Sequence, residues 1–210
     1  MLLLGHRGAG ASRHIPENTL ESFELCLRHG CDGFEFDVRL AADGVAVVCH
    51  DPVIGGREVA ASPSDELSLP TLDEVLRQFS PRAFLDIELK VGGLEKELLA
   101  ALRTDPPKRG YVVSSFLPEV LNTVYRLDSR IPLGFIYKER GQAAPFSPPV
   151  DYLIPHLDLL SRELVEEAHA SARKIMTWTV NRSEDMLRFA GWGVDAMISD
   201  ETELLVHSFR

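Results

Sequence analysis

The 210-residue chain is poor in cysteine, with Cys26, Cys31 and Cys49 alone. An odd number without ligand-type spacing provides neither a disulfide framework nor a thiolate metal site. Cys49 is expected to be a buried small hydrophobe on the strand face opposite His50. Long hydrophobic runs are missing too, and none approaches the roughly 20 apolar residues of a membrane span. The opening MLLLGHRG has too short an apolar run, and no charged leading region, for a signal peptide. Positive charge is also scarce. The net charge is −10 with no Lys/Arg run, which argues against nucleic acid and against stable membrane association. A small anionic substrate held by a local cation remains compatible with that balance. No Pro/Gly/Ser linker divides the chain and no short repeat is visible. These absences lead to the expectation of a cytoplasmic protein with one domain over residues 1–210, its oligomeric state unknown.

What is present is most concentrated between Gly33 and Asp51. In Gly33–Arg39 the apolar Phe34, Phe36 and Val38 alternate with Glu35, Asp37 and Arg39, the period of a strand. Asp43-Gly44 is a two-residue hairpin signal of the type I′ kind. With those two residues as the loop, Ala42 faces Val45 and His50 falls opposite Asp37, diagonal to Glu35. Two carboxylates and an imidazole then meet within one hairpin. Taken alone, the acidic face reads sooner as the solvated side of an antiparallel sheet.

The rest of the chain alternates between strand and helix patterns. Met1–Leu4 is a short apolar run entering Gly5-His6-Arg7-Gly8-Ala9-Gly10, whose glycines have the wrong spacing for a dinucleotide fingerprint. They suit close backbone approach to an anion. Asn18 with Glu21 reads as a helix cap and its box partner, and Thr71 with Glu74 as a capping box. Pro52–Leu69 reads as a loop. Ala83–Lys90 reads as a strand with Asp86, Glu88 and Lys90 on one face, its alternation broken by Leu85. Asp200 with Glu203 reads as the start of the last helix. Excluding the hairpin's return strand, eight strands begin near residues 2, 33, 83, 111, 133, 152, 174 and 196. The fold expected is α/β, a single (β/α)8 TIM barrel with a β-hairpin extension after the second strand.

On that fold His6, Glu35, Asp37, Glu88 and Lys90 collect at the C-terminal ends of the first three strands, and the hairpin returns His50 to the same level. Carboxylates without thiolates make a hard-oxygen site, suited to one Mg²⁺ or Ca²⁺. Three carboxylates set against a divalent ion, Arg7 and Lys90 leave one net positive charge, enough for one phosphodiester. His6 and His50 suit general acid–base work, one taking a proton from the nucleophile and the other protonating the leaving alkoxide.

Seven stretches complete the pattern. HRG (His6–Gly8), PENT (Pro16–Thr19), EFDV (Glu35–Val38), VCHD (Val48–Asp51), IELK (Ile87–Lys90), SSF (Ser114–Phe116) and TWTVN (Thr177–Asn181) stand in the order of the glycerophosphodiester phosphodiesterase family, which the chain resembles over nearly its whole length. The resemblance implies a barrel hydrolase that releases an alcohol and sn-glycerol 3-phosphate from small-molecule glycerophosphodiesters. It implies Glu35, Asp37 and Glu88 as metal ligands and His6 and His50 as the catalytic pair. Arg7 and Lys90 would contact the phosphate, and Phe116 and Trp178 would line the pocket. Either water or the neighbouring glycerol hydroxyl could be the nucleophile. Glu17 reads as a loop brace or as a partner of a site residue, with the brace preferred, His156 as structural or solvated, and His14, His29, His169 and His207 as surface residues. Two departures stand out. Pro52–Leu69 is shorter than the insertion common in the family, which implies a more open mouth. The final strand reads ISDE where the family usually has TD and a nearby Pro, which is expected to affect packing only. The rival readings are cleavage of a lysophospholipid headgroup, as in phospholipase D-like relatives, and a non-catalytic barrel that binds phosphodiesters or a partner.

Overall fold

The alternation read from the sequence becomes a set of two-sided strands in the computed structural model, which describes residues 1–10, 14–139, 141 and 150–210. The strands are β1 (Leu2–Gly5), β2 (Gly33–Leu40), β3 (Ala46–Val48), β4 (Val53–Ile54), β5 (Arg57–Glu58), β6 (Phe84–Leu89), β7 (Tyr111–Ser115), β8 (Leu133–Tyr137), β9 (Tyr152–Pro155), β10 (Lys174–Thr177) and β11 (Ala196–Ser199). The helices are α1 (Leu20–His29), α2 (Leu72–Phe79), α3 (Glu95–Thr104), α4 (Pro118–Leu127), α5 (Arg162–Ala170), α6 (Ser183–Trp192) and α7 (Thr202–His207). Eight strands pair in parallel in the order β1-β2-β6-β7-β8-β9-β10-β11, and β11 pairs back with β1. This is a closed eight-stranded parallel barrel wrapped by helices. The Pro-rich stretch read between β8 and β9, with Pro145, Pro148 and Pro149, lies outside the described residues.

Closure gives each strand an inner and an outer face. Phe34, Phe36 and Val38 of β2 face outward to the helices, where Phe23 of α1 stacks on Phe34 at 4.2 Å and Phe79 of α2 meets Phe34 edge-on at 5.1 Å. Each such buried Phe stabilises by roughly 1.5–3 kcal/mol. Inside the barrel, Leu4, Phe84, Val112, Ile136, Ile154, Met176 and Ile198 form a second apolar cluster. Leu85, Ile87 and Leu89 of β6 belong to the outer cluster and Phe84 to the inner one. Leu85 therefore keeps the alternation, and Phe84 is the apolar residue that shares the acidic face.

The hairpin after β2 has a different register from the one expected. Val38 pairs with Val48 and Leu40 with Ala46, and Ala41 and Val45 are joined by a backbone hydrogen bond of 2.9 Å. The loop therefore has three residues, Ala42-Asp43-Gly44, with Gly44 alone in the left-handed region at φ +83. A type I′ turn would need positive φ at both Asp43 and Gly44, so the facing pairs move by one. Cys49, not His50, donates its backbone N–H to the Asp37 carbonyl. Cys49 is buried as expected, with Val47, Val59 and Leu67. Within the stretch read as loop, β4 and β5 form a small second hairpin.

Two helix starts also differ. Thr19, not Asn18, caps α1 by accepting from the Ser22 backbone, and Asn18 is a buried residue at φ +57. The last helix starts at Thr202, and Asp200 has another role. Thr71 and Glu74 do form the capping box of α2.

Candidate active site

Side chains at the C-terminal end of the barrel surround a cavity of 340 Å³ lined by His6, Arg7, Glu35, His50, Glu88, Lys90, Phe116 and Trp178 among others. Eight of the nine site residues expected from the sequence thus converge on one space. The ninth, Asp37, does not line it but lies beside it, paired across β2 and β6 with the lining Glu88 and contacted by the lining Arg7 and Lys90. One oxygen each from Glu35, Asp37 and Glu88 lie within 4.8 Å of one another, and all three residues are buried. Ligands on one Ca²⁺ at about 2.3–2.6 Å can be at most roughly 5 Å apart, so the trio is compact enough to share an ion. Glu35 Oε1 is also buried without a hydrogen-bond partner. The donor set fits a hard divalent cation and could bind one.

Cations hold part of this negative charge. Lys90 Nζ is 2.7 Å from Glu88 Oε1 and 3.3 Å from Asp37 Oδ1, and Arg7 Nε is 3.2 Å from Asp37 Oδ2. Burial alone would raise the Asp37 carboxyl, but Lys90, Arg7 and the Asn18 amide together hold it below its ordinary value. Glu35 is pushed well above the usual carboxylate range, by burial first and then by Asp37 and Glu88. Glu88 is raised by burial and Asp37. Glu35 is therefore the carboxylate that most needs a further positive charge.

Each histidine of the expected pair is oriented by a carboxylate. His6 Nδ1 is 2.7 Å from Asp200 Oδ1, with Nε2 3.9 Å from Glu35 Oε2. His50 Nδ1 is 2.8 Å from Asp51 Oδ1, and the Arg39 Nε donates to the His50 carbonyl at 2.8 Å. Such a contact at Nδ1 fixes the ring and leaves Nε2 as the reactive nitrogen. On the other side of the cavity Trp178 meets Phe116 edge-on at 5.5 Å and donates Nε1–H to the Ile154 carbonyl. Trp178 is thus half-buried wall rather than core.

The sequence reading missed several residues around this site. Asp200 binds His6, and Asn181 supports it through Nδ2 to Asp200 Oδ2 at 2.7 Å. Ser199 Oγ donates to Asn181 Oδ1, so ISDE bears on the site and not on packing only. Asn18 donates Nδ2–H to Asp37 Oδ2 at 2.8 Å and accepts from its backbone N–H. The adjacency of PENT to the barrel's first loop was the available signal for it. Asp86 lies fully buried among the lining residues, where burial pushes its carboxyl up to about 7 against the Ser114 hydroxyl that donates to it. Glu17 pairs with Arg7, a cavity-lining residue, at 2.7 Å, so it touches the site through Arg7 and is more than a loop brace. His156 is half-buried against Trp178, and His14, His169 and His207 are exposed. His29 lies half-buried at the surface, with Nδ1 2.7 Å from Thr202 Oγ1 and Nε2 3.1 Å from the exposed Glu203.

Comparison with known proteins gives one consistent result. The model of the glycerophosphoryl diester phosphodiesterase family matches residues 6–98 and 54–204. A glycerophosphodiester phosphodiesterase of Caldanaerobacter subterraneus subsp. tengcongensis is 30% identical over 240 residues, covering 100% of this chain and 98% of that protein. The crystal structure of a glycerophosphodiester phosphodiesterase from Thermotoga maritima superposes with a TM-score of 0.86 at 25% identity, over 99% of this chain and 97% of that one. A phosphodiesterase of Oleispira antarctica, solved in complex with the product sn-glycerol-3-phosphate, has a TM-score of 0.86 at 25% identity, over 99% and 96% of the two chains. No helix among the described residues is long and apolar enough to cross a membrane.

Proposed function

This chain belongs to the glycerophosphoryl diester phosphodiesterase family, and from that premise we propose how it works as a phosphoric diester hydrolase. It cleaves small-molecule glycerophosphodiesters to an alcohol and sn-glycerol 3-phosphate with His6 and His50 as general acid and base. Glu35, Asp37 and Glu88 would hold one divalent ion, Mg²⁺ or Ca²⁺, which supplies electrostatic stabilisation of charge on the phosphoryl oxygens. Arg7 and Lys90, already paired with Asp37 and Glu88, bind and orient the phosphate. Phe116 and Trp178 form the wall against which the substrate lies.

One histidine takes the proton of the attacking hydroxyl at Nε2 while the other donates a proton to the departing oxygen. The phosphorus–oxygen bond to the alcohol breaks as the new one forms. Attack by water gives sn-glycerol 3-phosphate directly, with the pair reset by proton exchange with solvent. Attack by the glycerol hydroxyl gives a cyclic phosphate that water then opens with the two histidines in exchanged roles. The observation that carries this reading is that both histidines line the cavity of Glu35 and Glu88 with Nδ1 held by a carboxylate. Positioned acid–base groups of this kind contribute about 10²–10⁴-fold each.

The test is release of glycerol 3-phosphate from glycerophosphoglycerol with Mg²⁺, Ca²⁺ or EDTA, beside His6→Ala and His50→Ala. The expected outcome is metal-dependent release that falls by about 10²-fold or more in each variant. Undiminished release in the variants would discard the histidine pair, and no release with any metal would discard the activity.

A further inference from the structure

The inner face of β6 can be read upward by parity. Phe84 belongs to the inner apolar cluster, and Asp86, Glu88 and Lys90 follow it on the same face. Asp86 therefore stands one inward step below Glu88. In register it has Glu35 of β2 on one side and the buried Val112 of β7 on the other. Ile136, Ile154 and Ile198, which also belong to the inner cluster, line the cavity at its floor. Asp86 lines the same cavity and is 0% exposed. A carboxyl group thus stands among apolar floor residues.

Protein groups satisfy only one of its two oxygens. Ser114 donates its hydroxyl to Asp86 Oδ1 at 2.5 Å, and Asp86 Oδ2 is buried without a hydrogen-bond partner. The cations of the site reach other carboxylates. Arg7 pairs with Glu17 and Asp37, and Lys90 with Asp37 and Glu88. Among the described residues no ion pair reaches Asp86, and Asp86 is not one of the three acidic residues whose oxygens lie within 4.8 Å of one another. A buried oxygen left unpaired is destabilising, and local conflicts of this kind are expected at functional sites. A phosphate belongs with Arg7 and Lys90 rather than with a carboxyl group. A hydroxyl is both donor and acceptor, so it can pair with Oδ2 whether or not the carboxyl is ionised.

We propose that Asp86 binds the terminal hydroxyl of the substrate's glycerol end, the one on the carbon farthest from the phosphate, and so selects glycerol over a diol that lacks it. This deepens the phosphodiesterase reading and rests on it. Lys90 Nζ lies 2.7 Å from Glu88 Oε1, so a phosphate bound by Lys90 sits near the level of Glu88. One inward step along β6 is about 6.6–6.8 Å, a span that the three-carbon chain of glycerol can cover. The alcohol end varies in size between substrates and needs the open mouth, which leaves the glycerol end for the closed floor. A ligand without the terminal hydroxyl strands the buried oxygen. That is the condition under which recognition of a hydroxyl discriminates strongly.

The experiment compares glycerophosphocholine with its analogue built on propane-1,2-diol 1-phosphate, which lacks only the terminal hydroxyl. The analogue keeps the hydroxyl beside the phosphate, so attack by water and attack by that hydroxyl both remain open to it. The ratio of the two kcat/KM values is measured for the wild type, Asp86→Asn, Asp86→Leu and Asp86→Ala. Calorimetry gives Kd for sn-glycerol 3-phosphate and for propane-1,2-diol 1-phosphate with the same four proteins. The expected wild-type ratio is about 10²-fold in favour of the glycerol compound. Asp86→Asn should keep most of it, because its amide still bonds a hydroxyl, whereas Asp86→Leu and Asp86→Ala should bring it close to one. Those two variants differ in volume, so misfolding of one leaves the other. A merely structural role for Asp86 would lower both substrates alike and leave the ratio as it was. A wild-type ratio near one, or a ratio unmoved in the truncated variants, with glycerol 3-phosphate still released, would overturn the proposal and leave the phosphodiesterase reading intact. If neither compound is hydrolysed with any metal, the phosphodiesterase reading falls. Calorimetry then decides alone, and equal affinities for the two monophosphates, or a difference unmoved by Asp86→Leu and Asp86→Ala, overturn the proposal.

Discussion

His6 and Asp200, 194 residues apart, meet through Nδ1 and Oδ1 at 2.7 Å. The contact exists because β1 and β11 close the barrel side by side with Gly5 paired to Ser199. Asn181 fixes the Asp200 carboxylate from a third strand end. Burial alone would raise Asp200, but its bonds to His6 and Asn181 bring it below the ordinary value. It therefore stays ionised, able to hold the His6 ring in one tautomer.

Asp200→Asn should lower kcat by about 10²-fold, since an amide there can present its NH₂ to Nδ1 and favour the wrong tautomer. The KM for glycerophosphoglycerol should change little, because Asp200 acts through His6. Steady-state kinetics across a pH series would check this, and an unchanged kcat would remove Asp200 from the account.

Glu35 is raised by burial and by two neighbouring carboxylates, so in the metal-free protein it is a source of instability. Glu35→Gln should raise the Tm measured in EDTA, by roughly 2–4 °C per kcal/mol relieved. The backbone N–H of Arg7, which donates to Glu35 Oε2 at 3.0 Å, keeps an acceptor in the amide. The same variant should lose most of the stabilisation that Mg²⁺ or Ca²⁺ confers on the wild type, which amounts to about 2.7 kcal/mol at a hundred times Kd. Thermal melts with and without metal separate the two effects.

Asn18 combines a left-handed backbone at φ +57 with two hydrogen bonds to the buried Asp37. Asn18→Gly should lose the bonds but not the backbone tolerance, costing about 1–3 kcal/mol. Asn18→Ala should cost about 1 kcal/mol more, because a Cβ is unfavourable in that conformation. Urea unfolding of the two variants would measure the difference, and equal losses would mean that φ is not constrained there.

All three cysteines are buried. Cys26 is raised well above the ordinary thiol value by its hydrogen bond with the Cys31 thiol and by burial, and burial pushes Cys49 up to about 11. Thiolate is the reactive form, so a disulfide reagent at pH 8 should label the native protein slowly at these positions. Complete labelling of three thiols should follow unfolding in guanidinium, and rapid labelling of Cys49 in the native state would contradict its burial.

Much of this was legible in the sequence because it depends on local periods. The alternation in Gly33–Arg39 and Ala83–Lys90 states which side chains share a face, and eight such segments without a linker leave a closed barrel as the economical packing. The hairpin register was not legible. Asp43-Gly44 is compatible with a two- or a three-residue loop, and the choice depends on whether Asp43 takes positive φ, which packing of Val47 and Cys49 against Val59 and Leu67 influences. Asn18 was misread as a cap because Thr19, one residue on, offers the same chemistry.

The sequence by itself determined the strand order and the inward parity of Glu35, Asp37, Glu88 and Lys90. These follow from the period of two along a strand and from the order of the motifs. Only the tertiary structure decided that Asp200 binds His6 and that Asn18 holds Asp37. The first depends on barrel closure, which sets β1 beside β11, and the second on the parallel pairing of β1 with β2.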